Sequence, residues 1–226
     1  MKNAWRAGLM AALLLSPTVI WAQRYGGSDV EVNVVSDRGR TLPQYPLRGG
    51  GGGVYKAYLE AVRGQNYSIQ IRNRTNQRIG VVIAVDGRNI ISGDQSNLKS
   101  DERMYVVGPY QQERYEGWRT GKSRVNRFYF TDAGDSYAGA WGDYSAMGVI
   151  AVAAFREVAY QPQPQPWAQD GSGYGDQRGL RRAPSGEAAP SAAPRDLQST
   201  PGTGYGEEER SPSRRVEFEP ENQPFA

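Results

Sequence analysis

The chain has 226 residues and a formal net charge of +3, and it contains neither histidine nor cysteine. Without those two residue types it has no imidazole general base, no thiolate nucleophile, no disulfide and no Cys- or His-ligated metal. Carboxylates, hydroxyls, Lys and Arg are the groups left for chemistry, so the composition predicts a protein that is not an enzyme and holds no metal or cofactor.

Residues 1–22 have the pattern of a secretory signal peptide. Lys2 and Arg6 precede an apolar run from Ala7 to Ile20, and Ala22 supplies a small residue at the expected cleavage site. The run is shorter than the roughly 20 residues of a membrane-spanning helix, which favours cleavage over a retained anchor. We therefore expect a periplasmic or extracellular protein with no membrane span after cleavage.

Residues 23–53 combine one strand with a glycine-rich linker. Valines alternate with polar residues in Asp29–Val35, which is the period of a half-buried strand. Five consecutive glycines, Gly49–Gly53, are typical of flexible linkers.

Residues 54–160 form the predicted domain. Arg78–Asp86 and Gly148–Val158 are apolar on both faces, which predicts central strands, whereas Tyr67–Arg72 alternates and predicts one wet face. Asp86-Gly87 is a hairpin turn signal. The other strand candidates are Val54–Val62 (where a helix is the alternative), Asn89–Ile91, Met104–Val107, Glu113–Arg119 and Arg124–Thr131. Short strands with frequent turns predict an all-β fold, a single antiparallel β-sandwich of Ig-like or jelly-roll-like type with about seven to nine strands.

The C-terminal region changes composition after Tyr160. Ten of the fourteen prolines follow that residue, so residues 161–211 are predicted to be a long Pro/Gly-rich disordered tail. A weak repeat joins Gly171–Asp176 to Gly202–Glu207; chance similarity within a glycine-rich linker is the alternative.

Residues 212–226 contain a possible terminal strand. Val216 and Phe218 share a face there, so this edge strand would pair with an open edge of the domain or of a partner. A solvated charged tail is the other interpretation.

Aromatic residues crowd the second half of the domain. Most are expected to form the core, because aromatic rings contribute the largest buried areas. The remainder are candidates for a ligand-binding surface. The candidate binding residues are Tyr115, Trp118, Arg119, Tyr137 and Trp141.

Carboxylates give two weaker hypotheses. Two acidic residues facing each other can hydrolyse a glycoside without histidine or cysteine, and Glu113, Glu116, Asp132 and Asp135 are the candidates. A calcium loop is disfavoured because the spacing of the acidic residues fits no calcium-loop signature.

Several segments together carry a resemblance to a family. They are Val85–Gly93, Tyr105–Pro109, Gly117–Arg119, Phe128–Phe130, Ser136–Ala138, Gly148–Ile150, Gly202–Glu207 and Val216–Phe218. This series resembles an uncharacterised family of exported bacterial domains. The resemblance implies no catalytic residue, and it favours a real terminal strand.

Three functions are compatible with the sequence. The first is a non-enzymatic envelope protein that binds a protein or other extended chain through a sheet edge and its tail. The second is a carbohydrate or cell-wall binding module with exposed Tyr and Trp, and the third is a carboxylate-dependent hydrolase. A nucleic-acid partner is not expected, because Lys and Arg form no clustered stripe and loss of Lys2 and Arg6 leaves a charge of 3 − 2 = +1. The sequence does not indicate an oligomeric state.

Overall fold

A computed structural model describes residues 29–47, 54–158 and 200–226. The predicted signal peptide, residues 23–28 and 48–53 of the N-terminal region, residues 159–160 of the predicted domain and residues 161–199 of the predicted tail lie outside the described residues. Within the described ranges the chain is mostly β, with thirteen strands, one short α-helix and antiparallel pairing throughout. No helix in those ranges has the length and hydropathy to cross a membrane.

The elements in chain order are β1 (Val30–Ser36), β2 (Gln44–Pro46), β3 (Ala57–Leu59), β4 (Asn66–Asn73), β5 (Ile79–Val85), β6 (Arg88–Asn89), β7 (Tyr105–Val107), β8 (Gln112–Tyr115), β9 (Gly117–Gly121), β10 (Arg124–Asp132), α1 (Tyr137–Ala140), β11 (Ile150–Arg156), β12 (Pro201–Thr203) and β13 (Glu208–Arg210).

The large sheet has seven strands and is organised around β4 and β10. Strand β4 pairs with β1 on one side, in a register that runs from Val30 opposite Asn73 to Ser36 opposite Tyr67. On its other side β4 pairs with β8 and with part of β10. Strand β10 then pairs with β9, β12 and β13. The two C-terminal strands are therefore integral members of this sheet.

The small sheet has four strands, with β5 at its centre. Strand β11 pairs with one edge of β5, while β6 and β7 pair with the other. All seven residues of β5 are buried, which confirms the prediction of a central strand. Asp86 and Gly87 have φ of 50° and 79°, so the predicted turn forms with both residues in the left-handed region that this type of hairpin requires.

One apolar cluster draws on both sheets. Ile69, Ile71 and Phe128 of the large sheet belong to the same buried cluster as Val81 and Val85 of the small sheet. Each such side chain contributes about 1.5–3 kcal/mol when it is fully buried. This cluster is what holds a chain without disulfides together.

A second cluster covers the other face of the small sheet. It contains Val82, Ala153 and Phe155, packed against Leu98 and Met104. Strands β5 and β11 therefore have apolar side chains buried on both faces, which is why their sequences do not alternate between apolar and polar residues.

Two predicted strands differ from the observed ones. Only Ala57–Leu59 of the predicted Val54–Val62 strand is extended, and it pairs with β2 in a separate two-stranded sheet. The predicted Glu113–Arg119 strand is interrupted at Glu116, because β8 pairs with β4 whereas β9 pairs with β10. A Cβ at Gly117 would overlap the backbone carbonyl of Asn126, so a glycine permits this change of partner.

The prediction that all of residues 161–211 are disordered is wrong for the part that the structure describes. Strands β12 and β13 lie inside this range, and both pair with β10. Composition misleads here because Gly202, Gly204 and Gly206 fit closely against neighbouring groups, where glycine in a linker would have no such contacts.

The predicted terminal strand also takes another form. Residues 212–226 contain no strand, but Glu219–Ala226 runs along the edge of β11. Arg156 O accepts a hydrogen bond from Glu221 N at 2.9 Å, and Ala154 N donates to Ala226 O at 2.7 Å. Pro220 and Pro224 lack an N–H group, which prevents a continuous ladder. The pairing is therefore within the chain, but it is irregular.

Candidate binding surfaces

The C-terminal segment occupies a groove that we call the tail groove, defined by Tyr67, Trp118, Asn126, Tyr129 and Ser136. Its occupant is Gly202–Glu207, which we call the docked motif. These five groove residues come from β4, β9, β10 and the N-cap of α1, so the groove exists only once the large sheet has formed.

Three side chains of the groove bind the docked motif through hydrogen bonds. The hydroxyl groups of Tyr67 and Thr203 lie 2.7 Å apart and are both buried. The indole N–H of Trp118 donates to Gly204 O at 3.1 Å. The Asn126 amide donates to Gly206 O at 2.6 Å. The groove therefore binds two backbone carbonyl groups of the motif and one side-chain hydroxyl group.

Each glycine of the docked motif is required by a close approach. A Cβ at Gly202 would lie 2.8 Å from the Ser136 Cβ, and one at Gly206 would lie 2.8 Å from the Arg127 carbonyl. A Cβ at Gly204 would overlap the ring of Tyr129. Alternate residues of this extended segment face the groove, so glycine at every second position is a requirement of fit.

Asp86 connects the small sheet to the docked motif. Its carboxylate accepts hydrogen bonds from Thr203 N at 2.6 Å and from Gly148 N at 2.8 Å. Burial raises the pKa of Asp86 to about 6, because desolvation of the carboxylate outweighs these two hydrogen bonds. One buried acidic group thus holds the end of β5, the start of β11 and the C-terminal segment together.

Two of the predicted binding residues are part of the core. Tyr115 is 8% exposed and stacks on Tyr105 with ring centroids 4.3 Å apart. Trp118 is 2% exposed. Burial also raises the pKa of the Tyr115 phenol well above its usual value. Neither ring presents a face to a ligand in solution.

Arg119 contacts the C-terminal segment. Its Nε donates to the Tyr105 hydroxyl at 3.0 Å, and its Nη1 donates to Ser211 O at 2.5 Å. The guanidinium is therefore already used inside the chain, where it fixes the residues beside β13.

Tyr137, which is half-buried, forms an aromatic platform with the exposed rings of Trp141 and Tyr205. Tyr137 stacks on Tyr205, with centroids 5.3 Å apart and planes 18° apart, and packs on Trp118 at 4.5 Å. Trp141 is 63% exposed and meets Tyr137 edge-on. The Arg88 guanidinium lies 5.2 Å from the Trp141 ring centroid. The platform is thus a ring surface with one adjacent cation.

Tyr205 was not predicted as a site residue. It belongs to the docked motif and reaches the platform only because the C-terminal segment packs beside α1. The only feature of the sequence that indicated Tyr205 was the Gly-Tyr-Gly pattern that the two copies of the weak repeat share.

Val216 and Phe218, the predicted edge-strand residues, are not in a strand. Val216 is 40% exposed. A Cβ added at Gly80 would lie 2.6 Å from the Phe218 ring, so Phe218 covers the outer face of β5. Arg78 lies 6.0 Å from the centroid of that ring. The alternation of Val216 and Phe218 with charged residues therefore does not correspond to a strand. Phe218 instead packs on the outer face of β5.

The third surface, which we call the hairpin surface, is formed by β2, β3 and their flanks. Tyr45 and Tyr58 are directly opposite each other in the two strands and are 58% and 67% exposed. Within the described part of the chain, neither strand pairs with a third strand. Gln44 anchors the base of the hairpin, since its side-chain amide donates to Val32 O at 2.9 Å.

Two of the four acidic candidates share one basic partner. Asp132 and Asp135 both contact Arg63, at 2.6 Å and 3.3 Å, near the surface. Glu113 is exposed and Glu116 is half-buried, on either side of Tyr115. The described ranges contain no group of three acidic side chains placed to bind a metal ion.

Comparisons with known proteins found no match among family models, curated proteins or solved structures.

Proposed function

We propose that the chain is an exported, non-enzymatic module in which the two larger sheets face each other as a β-sandwich, and that it binds a protein partner through the hairpin surface. One observation carries this proposal. Among the residues that the structure describes, six of the twelve exposed large apolar side chains lie between positions 45 and 62. They are Tyr45, Leu47, Val54, Tyr55, Tyr58 and Val62. A concentration of exposed apolar side chains on two paired strands and their flanks is typical of an interaction site.

The pairing of the hairpin supports an extended protein chain as the partner. A two-stranded sheet has two edges, and a two-stranded hairpin alone is marginally stable in water. An added strand would bond to the backbone of β2 or β3, and Tyr45 and Tyr58 would provide aromatic anchors beside it. The C-terminal segment is not available for this role, because the tail groove and β11 already bind it.

The test is site-specific photocrosslinking in the cells that make the protein. A photoreactive phenylalanine analogue replaces Tyr45 or Tyr58 in the full chain, and the matched control replaces Tyr110, which is 68% exposed and lies in the turn between β7 and β8. We expect the two hairpin positions to give the same discrete protein adduct and the control position to give none. Absence of an adduct at both hairpin positions, or the same adducts at all three, would contradict the proposal.

A second candidate function rests on the aromatic platform. Flat, exposed rings such as Trp141 and Tyr205 stack on the apolar faces of sugars. The corresponding test is co-sedimentation with insoluble peptidoglycan. Trp141→Ala should abolish retention, while Tyr110→Ala should leave it unchanged; equal retention of both variants would remove this candidate.

Export has a direct test of its own. Cleavage after Ala22 should leave Gln23 as the first residue of the protein recovered from the periplasm or medium. Intact-mass measurement distinguishes this product from a chain that retains its first 22 residues.

A further inference from the structure

The tail groove recognises a sequence pattern, and the chain contains that pattern twice. The groove requires glycine at the first, third and fifth positions of its occupant, because Ser136, Tyr129 and Arg127 leave no room for a Cβ there. It pairs a hydroxyl group at the second position with the Tyr67 hydroxyl. It stacks a tyrosine at the fourth position on Tyr137.

Residues 171–176, outside the described ranges, meet every one of these requirements. Gly171, Gly173 and Gly175 supply the three glycines. Ser172 supplies the hydroxyl and Tyr174 supplies the ring. The sixth position is acidic in both copies. The two hexapeptides differ only by Ser for Thr and Asp for Glu, and both exchanges keep the functional group.

We propose that the tail groove is a binding site for the pattern Gly-(Ser/Thr)-Gly-Tyr-Gly-(Asp/Glu) and that Gly171–Asp176 is its second ligand within the same chain. The two copies compete for one groove, and the structure describes the state in which Gly202–Glu207 occupies it.

The connecting chain is long enough for the first copy to reach the groove. Gly148 contacts Pro201 at the entrance of the groove, and Val158 lies ten residues further along the nearly extended β11, at most about 33 Å away. The twelve residues 159–170 can span about 40 Å. Attachment to the same chain also gives the first copy a high effective concentration at the groove.

The charges that follow each copy favour Gly202–Glu207 over Gly171–Asp176 as the occupant of the tail groove. The docked motif continues into Glu208 and Glu209, which lie 3.2 Å from Arg124 and 3.3 Å from Arg127. The first copy continues into Gln177 and Arg178. Docked in the same register, Arg178 would replace Glu209 opposite Val125 and would lie beside Arg127, where a second positive charge is unfavourable. The first copy is therefore the weaker ligand.

The first test asks whether the sequence of the first copy fits the groove. In the full chain, T203S/E207D converts the docked motif into that sequence. Hydrogen exchange of the Trp118 indole N–H reports occupancy, because this group donates to Gly204 O in the groove. We expect its protection to stay within about twofold of the wild-type value. A loss of about tenfold or more would overturn the proposal.

The second test asks whether the first copy binds from its own position. G202V/G204V removes the docked motif from the groove, since valine cannot fit against Ser136 and Tyr129. The matched variant G171V/G173V makes the same change in the first copy. We expect the matched variant alone to leave Trp118 protected and G202V/G204V to retain part of the protection. Combining all four substitutions should lower the remaining protection by about tenfold or more.

The proposal is overturned if protection in G202V/G204V is the same with and without G171V/G173V, because the first copy then contributes nothing. A G202V/G204V chain that fails to fold would overturn it as well, since a competent second ligand would maintain the groove.

Discussion

The docked motif and the hairpin surface both have an amino-acid composition that does not match their burial in the structure. The docked motif Gly202–Glu207 has a composition typical of a linker, yet its glycines and Thr203 are fitted to neighbouring groups. The hairpin carries Tyr45 and Tyr58, residues typical of a core, yet both are exposed. Specific fit can therefore fix an extended segment that composition marks as a linker, while exposed apolar residues indicate a surface that serves a partner.

Removing the C-terminal segment should have the largest effect. Deletion of residues 200–226 strips β12 and β13 from β10 and uncovers Trp118 and the edge of β11. We expect a loss of at least about 5 kcal/mol in the free energy of unfolding, which equals the whole stability of many domains. Urea denaturation followed by circular dichroism measures it. A deletion variant with wild-type stability would mean that the C-terminal segment is not part of the folded core.

Asp86, which binds the docked motif, makes the stability of the fold depend on pH. Its pKa is about 6 in the folded chain and near 3.8 when unfolded, so the folded state binds more protons between these values. Stability therefore falls as pH rises from about 4 to about 6. The difference of about 2 pKa units corresponds to about 3 kcal/mol.

The matched control for this prediction is Asp86→Asn, which has no charge at any pH. Denaturation of both proteins at pH 4 and pH 7 gives the comparison. We expect the wild type to lose stability relative to Asp86→Asn as the pH increases. A constant difference between the two proteins would show that Asp86 titrates at the same pH in the folded and unfolded states.

The hydroxyl pair in the groove should have a smaller effect. Tyr67→Phe leaves the buried Thr203 hydroxyl without its partner, and Thr203→Val does the reverse. Each change should lower the free energy of unfolding by about 1–2 kcal/mol, whereas the double variant should cost less than their sum, because no buried hydroxyl then remains. Strict additivity in this double-mutant cycle would argue against the contact.

The hairpin should show the smallest change in stability and a loss of binding. Tyr45→Ser with Tyr58→Ser removes one exposed cross-strand pair, which contributes less than about 1 kcal/mol. Crosslinking from a neighbouring position such as Leu47 should nevertheless lose its adduct. A large loss of stability would instead place these rings in a structural role.

Much of the sheet structure follows from local pattern. Strand β5 has no polar residue between Ile79 and Val85, and Asp86-Gly87 suits the hairpin turn that follows, so both could be predicted. Strand β11 could be predicted for the same reason. In these segments the local sequence pattern is sufficient to predict the strand or the turn.

The binding surfaces could not be predicted in the same way, because they depend on contacts distant in sequence. Trp118 donates to Gly204, 86 residues away, and this contact buries a ring that composition alone offered as a ligand platform. Tyr205 reaches Tyr137 by the same docking. Val216 and Phe218 alternate like a strand, but Pro220 follows and Phe218 covers Gly80.

Amide hydrogen exchange of the full chain compares the two regions most directly. If the C-terminal segment is a fixed part of the fold and the hairpin is an open surface, the amides of Thr203 and Gly204 should exchange about as slowly as those of β5, and those of Tyr45 and Tyr58 much faster. Rapid exchange at Thr203 and Gly204, together with slow exchange at the hairpin, would contradict the account.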